Sequence, residues 1–71
     1  MLRFNLINLR HHHDLSQSEF ASRINITRFA YNSYESGRCN PPLQTIKRIV
    51  DLYGITDLYS FLYENSIIWK V

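Results

Sequence analysis

The densest set of chemically capable side chains lies in Arg28-Phe29-Ala30-Tyr31-Asn32-Ser33. On a helix with Ala30, Tyr31 and Tyr34 turned inward, a repeat of about 3.6 residues per turn places Arg28, Phe29, Asn32 and Ser33 on the outward side. That side offers a guanidinium, a ring, a carboxamide and a hydroxyl. Arginine can donate two hydrogen bonds to the major-groove edge of guanine, asparagine can pair with both edge groups of adenine, and an apolar ring can pack on the methyl of thymine. Base reading is the chemistry this set suits. The competing account is a solvated helix face that carries one exposed phenylalanine.

Other reactive residue types lead nowhere comparable. His11-His12-His13 has the composition of a metal tract, but consecutive helical residues point about 100° apart and cannot all converge on one ion. Sensitivity to pH is the better use for such a tract. Cys39 has no histidine near it in sequence, so a nucleophile is unsupported. No paired acid and base and no metal-ligand constellation stands out, which reads as a protein that is not an enzyme and takes no cofactor or metal.

The elements that must position the Arg28–Ser33 face are short helices. Glycine occurs twice and proline twice, the prolines being adjacent, leaving intervals of helical length. Outside the short tail, no strand-length window alternates β-branched with polar residues. A first amphipathic helix carries Leu2, Leu6 and Leu9 on its stripe, with Ile7 off it, and runs into the histidines. Ser16 starts a second: its hydroxyl can cap the backbone three residues on while Glu19 reaches back, and Leu15 and Phe20 occupy the flanking staple positions. The pattern recurs with Thr27 starting a third helix and Tyr31 standing to Ile26 as Phe20 stands to Leu15. Only Ile24-Asn25-Ile26 separates the two, and asparagine tolerates the left-handed backbone of a tight turn. Ser36-Gly37 closes the third helix and Arg38–Pro42 forms a loop. Leu43, Ile46, Val50 and Tyr53 keep helical phase until Gly54, and Thr56 caps a fifth helix with Asp57 at its positive end and Leu58, Phe61 and Leu62 on its apolar face. The expected class is all-α, a compact five-helix bundle.

A length of 71 residues holds one small core, and an apolar share of 45% against 20% charged is globular rather than disordered composition. Net charge is only +2, too mild to announce a nucleic-acid partner, but its distribution is uneven. Residues 1–48 carry seven Arg or Lys against three Asp or Glu, a net +4, whereas residues 49–71 carry one against three, a net −2. The lone Cys39 cannot close an internal disulfide, which fits a reducing cytoplasm. No stretch approaches the roughly 20 apolar residues of a membrane span, and the amino terminus lacks a charged-then-apolar signal pattern, so neither export nor insertion is expected. A domain over 1–65 followed by an apolar tail, Ser66-Ile67-Ile68-Trp69-Lys70-Val71, is the expected division.

From Leu6 to Leu62 the chain resembles the phage-repressor-like helix-turn-helix domains, the Cro and XRE group. The resemblance is carried by Leu9-Arg10, Leu15-Ser16-Gln17, Phe20-Ala21, Ile24-Asn25-Ile26-Thr27, Tyr34-Glu35-Ser36-Gly37-Arg38, Pro41 and Gly54-Ile55-Thr56. None of these words is specific alone; their joint spacing is. Asn25 replaces the usual glycine of the turn, Phe29 stands where the family generally shows a polar base reader, and Tyr31 fills a core position usually held by a smaller aliphatic.

The resemblance implies a lambda-repressor-like fold with its helix-turn-helix at the second and third helices, and a bacterial or phage transcriptional regulator that reads the major groove with the third. A phosphate oxygen is then the expected partner of Gln17, where free N–H groups and the helix dipole favour an anion, though an ordinary first-turn residue would look the same. Thr27 can touch a phosphate as well, although capping alone accounts for it. Arg38, Arg10 and Arg23 are candidate backbone contacts or simply surface arginines, and Lys47 and Arg48 are expected to be solvated. Glu35 is structural in the resembled family, with Arg23 or Arg38 as the simplest charge partner. Because one such domain covers about half a typical site, two copies about 34 Å apart on a palindromic operator follow, as a homodimer on double-stranded DNA. The rival reading keeps the scaffold but makes the chain a protein-binding modulator of a phage repressor or a toxin. Its contact surface would be the tail residues Ile67, Ile68 and Trp69 with neighbouring Tyr59 and Tyr63, which serve equally for packing back on the domain or for a dimer.

Overall fold

Leu6 and Leu9, one turn apart on one face, are buried where the first helix crosses the rest of the molecule, and everything else is arranged around that contact. The computed structural model of the chain describes residues 2–63. In that span run α1 (Leu2–His12), α2 (Gln17–Arg23), α3 (Arg28–Glu35), α4 (Leu43–Tyr53) and α5 (Leu58–Tyr63), with no strand among the described residues. α2 packs mainly on α3, and α1 on both α3 and α5. No helix of the described residues is long and apolar enough to cross a membrane.

The α2–turn–α3 unit is built from local signals. The Ser16 hydroxyl accepts from the Glu19 N–H at 3.1 Å and the Glu19 carboxylate accepts from the Ser16 N–H at 2.8 Å, the reciprocal cap expected of this pair. Leu15 and Phe20 are both buried beside it. Asn25 takes the left-handed backbone (φ 60°), and the Ile26 N–H donates back to the Ala21 carbonyl at 3.0 Å, turning the chain sharply. Thr27 caps α3 by accepting from the Ala30 N–H at 3.0 Å. Gly37 follows α3 at φ 80°, a left-handed backbone that side-chain-bearing residues rarely adopt, and this is what calls for glycine there, with the flexible Arg3 guanidinium lying alongside.

An aromatic row ties three helices and the turn after α1 together. Phe20 of α2 lies between Tyr31 of α3 (centroids 4.8 Å apart) and Tyr53 of α4 (5.6 Å, nearly parallel), and His13 beyond α1 covers Tyr53 at 4.7 Å. Leu6, Leu9, Leu15, Ala21, Ile24, Ile49 and Phe61 complete the buried core.

Three details differ from the sequence expectation. Leu43 is 76% exposed, because α4 meets the core along Thr45 and Ile49, and a residue two positions before Thr45 stands about 200° around the helix from it. Asp57, not Thr56, caps α5: its carboxylate accepts from the Ser60 N–H at 3.1 Å and the Ser60 hydroxyl at 2.8 Å, bonds that hold the acid below its ordinary pKa. Asn5, a polar residue set between the leucines of the α1 stripe, is fully buried and donates from Nδ2 to the Phe61 carbonyl at 2.7 Å and the Ser60 carbonyl at 3.3 Å. This amide docks the six-residue α5, too short to be helical alone, onto α1. Asn5→Ala is therefore expected to lower stability by about 1–3 kcal/mol, read from the midpoint of urea unfolding.

Candidate nucleic-acid interface

The outward side of α3 begins at its capped end. Arg28 and Phe29 are the first two helical residues and both are exposed, Phe29 by 78%. Single exposed apolar side chains are ordinary on a protein surface, and Leu43 is as open, so this exposure makes the Phe29 ring available for contact without by itself requiring one. Opposite them, Tyr31 is fully buried and Ala30 and Tyr34 are half-buried, as the helical phase requires. Thr27, at the cap, is exposed.

One turn further, the outward face changes character. Asn32 and Ser33 are half-buried. The Ser33 hydroxyl donates to the Phe29 carbonyl at 3.2 Å, within its own helix. Asn32 donates from Nδ2 to Gln17 Oε1 at 3.2 Å and accepts at Oδ1 from Arg38 Nη2 at 2.9 Å. Arg38, exposed beyond the end of α3, also donates from Nε to the Ser36 hydroxyl at 3.2 Å. Gln17, the first residue of α2, in turn donates from Nε2 to Glu35 Oε1 at 3.0 Å. Thus Gln17, Asn32 and Arg38 are brought together, while Arg28 and Phe29 stand apart on the leading turn.

Glu35 anchors this network from below. Its charge partner is Arg10, not Arg23 or Arg38: Arg10 Nε donates to Oε2 at 2.7 Å and Nη2 to Oε1 at 3.3 Å, and Nη1 donates to the Leu15 carbonyl at 2.9 Å. The two side chains are only 14% and 7% exposed. All three guanidinium nitrogens of Arg10 are thereby committed inside the fold, since α1 crosses the C-terminal end of α3, and this arginine is not placed as a surface phosphate contact. Burial pulls the Glu35 carboxyl upward, but hydrogen bonds from Arg10, Tyr31 and Gln17 outweigh it and leave the group below its ordinary pKa. Arg10 is raised by the same bond, and burial pushes the Tyr31 phenol up.

The remaining candidates are scattered. Arg23 ends α2 and is exposed; Arg48, expected to be solvated, donates to the Ile24 carbonyl at 3.3 Å. Tyr59 and Tyr63 are exposed with their rings 5.1 Å apart, and Tyr63 lines an open groove with Leu2, Phe4, Tyr34 and Leu62. Ile67, Ile68 and Trp69 lie outside the described residues. Among the described residues, no three His, Cys, Asp or Glu are grouped to hold a metal ion.

A family model described as helix-turn-helix matches residues 6–59, three quarters of the chain and all of α2, α3 and α4. The chain belongs to the helix-turn-helix family. Its helix-turn-helix unit is α2, the Asn25 turn and α3, and the phage-repressor-like resemblance read from Ser16-Gln17 through Gly37 holds. The helix-turn-helix chain is 35% identical over 48 residues to a cryptic phage CTXphi transcriptional repressor, RstR, of Vibrio cholerae, an alignment covering 68% of this chain and 43% of the repressor. It therefore spans less than half the length of that curated relative. No solved structure matches.

Proposed function

We propose that this chain is a sequence-specific DNA-binding transcriptional regulator of the bacterial or phage cytoplasm, with α3 laid in the major groove. The observation that carries the reading is the exposed leading turn of α3, where Arg28 and Phe29 face outward on a helix whose opposite side is locked into the core. Arg28 would donate to guanine and Phe29 would cover a thymine methyl, with Ser33 one turn behind. Thr27, Arg23 and Arg38 would meet phosphates, together with the one N–H that Gln17, at the positive end of α2, keeps beyond its bond to Glu35. The likeness to a phage repressor supports the same reading. A homodimer on a palindromic operator follows from the reach of one domain, with exposed Tyr59 and Tyr63 contributing to the surface between copies.

Selection of bound sequences from random duplex DNA, repeated at two salt concentrations, tests this. The expected result is an enriched motif with two half-sites about 34 Å apart and an affinity that falls by roughly an order of magnitude or more between 50 and 200 mM salt. Recovery of no motif at either concentration would refute it.

A further inference from the structure

Of the four side chains on the outward face of α3, Asn32 is the one joined at both ends to other side chains of the fold. The direction of every bond in its network is settled by the groups at the ends. Glu35 can only accept and Arg38 can only donate, so Gln17 must turn its NH2 to Glu35 and its oxygen to Asn32, and Asn32 must turn its NH2 to Gln17 and its oxygen to Arg38. A polar relay thus runs from the buried Arg10–Glu35 pair, across two carboxamides, to an exposed guanidinium. Pairing with adenine would call on the same Nδ2 and Oδ1. The hydrogen and lone pair left over belong to a half-buried amide whose plane these two bonds set.

We infer that Asn32 is a positioning residue and not a base reader: it holds the Arg38 guanidinium in the orientation in which that group meets a DNA phosphate. The inference builds on the DNA-binding reading above. Two bonds fix Arg38, one from Nη2 to Asn32 and one from Nε to Ser36, and its remaining N–H groups are left for an anion. Direct base reading is then confined to guanine under Arg28 and thymine beside Phe29, with Ser33 able only to accept while its hydrogen serves the Phe29 carbonyl.

The experiment measures binding of wild type, Asn32→Ala, Arg38→Ala and the double variant to the selected duplex and to duplexes changed one base pair at a time. Asn32→Ala is expected to weaken binding to every duplex by the same factor, roughly three- to tenfold, with the order of preference unchanged. It should add almost nothing in the Arg38→Ala background, because both changes remove one contact. Loss of discrimination at a single adenine, or a full Asn32→Ala effect in the absence of the Arg38 side chain, overturns the inference. Should Asn32→Ala not fold, Asn32→Ser, whose hydroxyl cannot span both partners, replaces it with the same two outcomes. Wild type that prefers no duplex refutes DNA reading and the Asn32 role together; adenine-specific loss refutes the Asn32 role alone.

Discussion

Arg28→Ala is expected to lower affinity for the selected operator by roughly ten- to a hundredfold, the span that follows from one bidentate arginine–guanine contact. Arg28 is exposed at the first turn of α3 and the cap of that helix is made by Thr27, so thermal stability should stay within a degree or two of wild type. Non-specific binding should fall far less, by the share of one charge in the salt-dependent term. The discriminating measurement is a gel-shift or anisotropy titration with both the selected duplex and a scrambled one. Equal losses on the two would assign Arg28 to the phosphate backbone, and an unchanged affinity for the selected duplex would remove α3 from the groove.

The largest effect on stability is expected from Arg10→Ala. Glu35 would lose both guanidinium bonds and remain a nearly buried carboxylate with Gln17 as its only amide donor, a change that costs about 3–5 kcal/mol in buried pairs. A core of this size carries a total stability of about the same magnitude, so the variant should be largely unfolded at room temperature by circular dichroism. Arg10→Met combined with Glu35→Leu should regain most of the loss, because the pair of charges is removed rather than split. If the double variant is no more stable than Arg10→Ala, the ion pair is not the source of the effect.

The pH dependence follows from the same pair. Glu35 titrates lower in the folded chain than its ordinary value, so its stabilising contribution is fully present above the ordinary carboxylate range and is lost as pH falls through the folded value. Wild-type stability should therefore decline below about pH 4. Without Arg10, burial is opposed only by the Tyr31 and Gln17 bonds, the carboxyl titrates higher, and what stability remains should be lost at a higher pH than in wild type.

The α2–turn–α3 unit could be read directly from the residues. Ser16 with Glu19, Leu15 with Phe20, Asn25 in the turn, Thr27 at the cap and Gly37 at the close are signals that act across one to five positions, a distance over which backbone geometry alone determines who meets whom. The outward placement of Arg28 and Phe29 followed from the same periodicity. What could not be read are the contacts that span helices: Asn5 to Phe61, Arg10 to Glu35, and Gln17 through Asn32 to Arg38. No short spacing rule pairs Arg10 with Glu35, 25 positions apart, and Arg23 or Arg38 was the expected partner until α1 was laid across the end of α3. Packing between helices likewise buries Thr45 and leaves Leu43 in water. A helix and its caps are written in neighbouring residues, but the face each helix turns to the others depends on the packing of all of them at once, and it is that packing which divides the polar side chains of α3 between the outside partner and the inside of the fold.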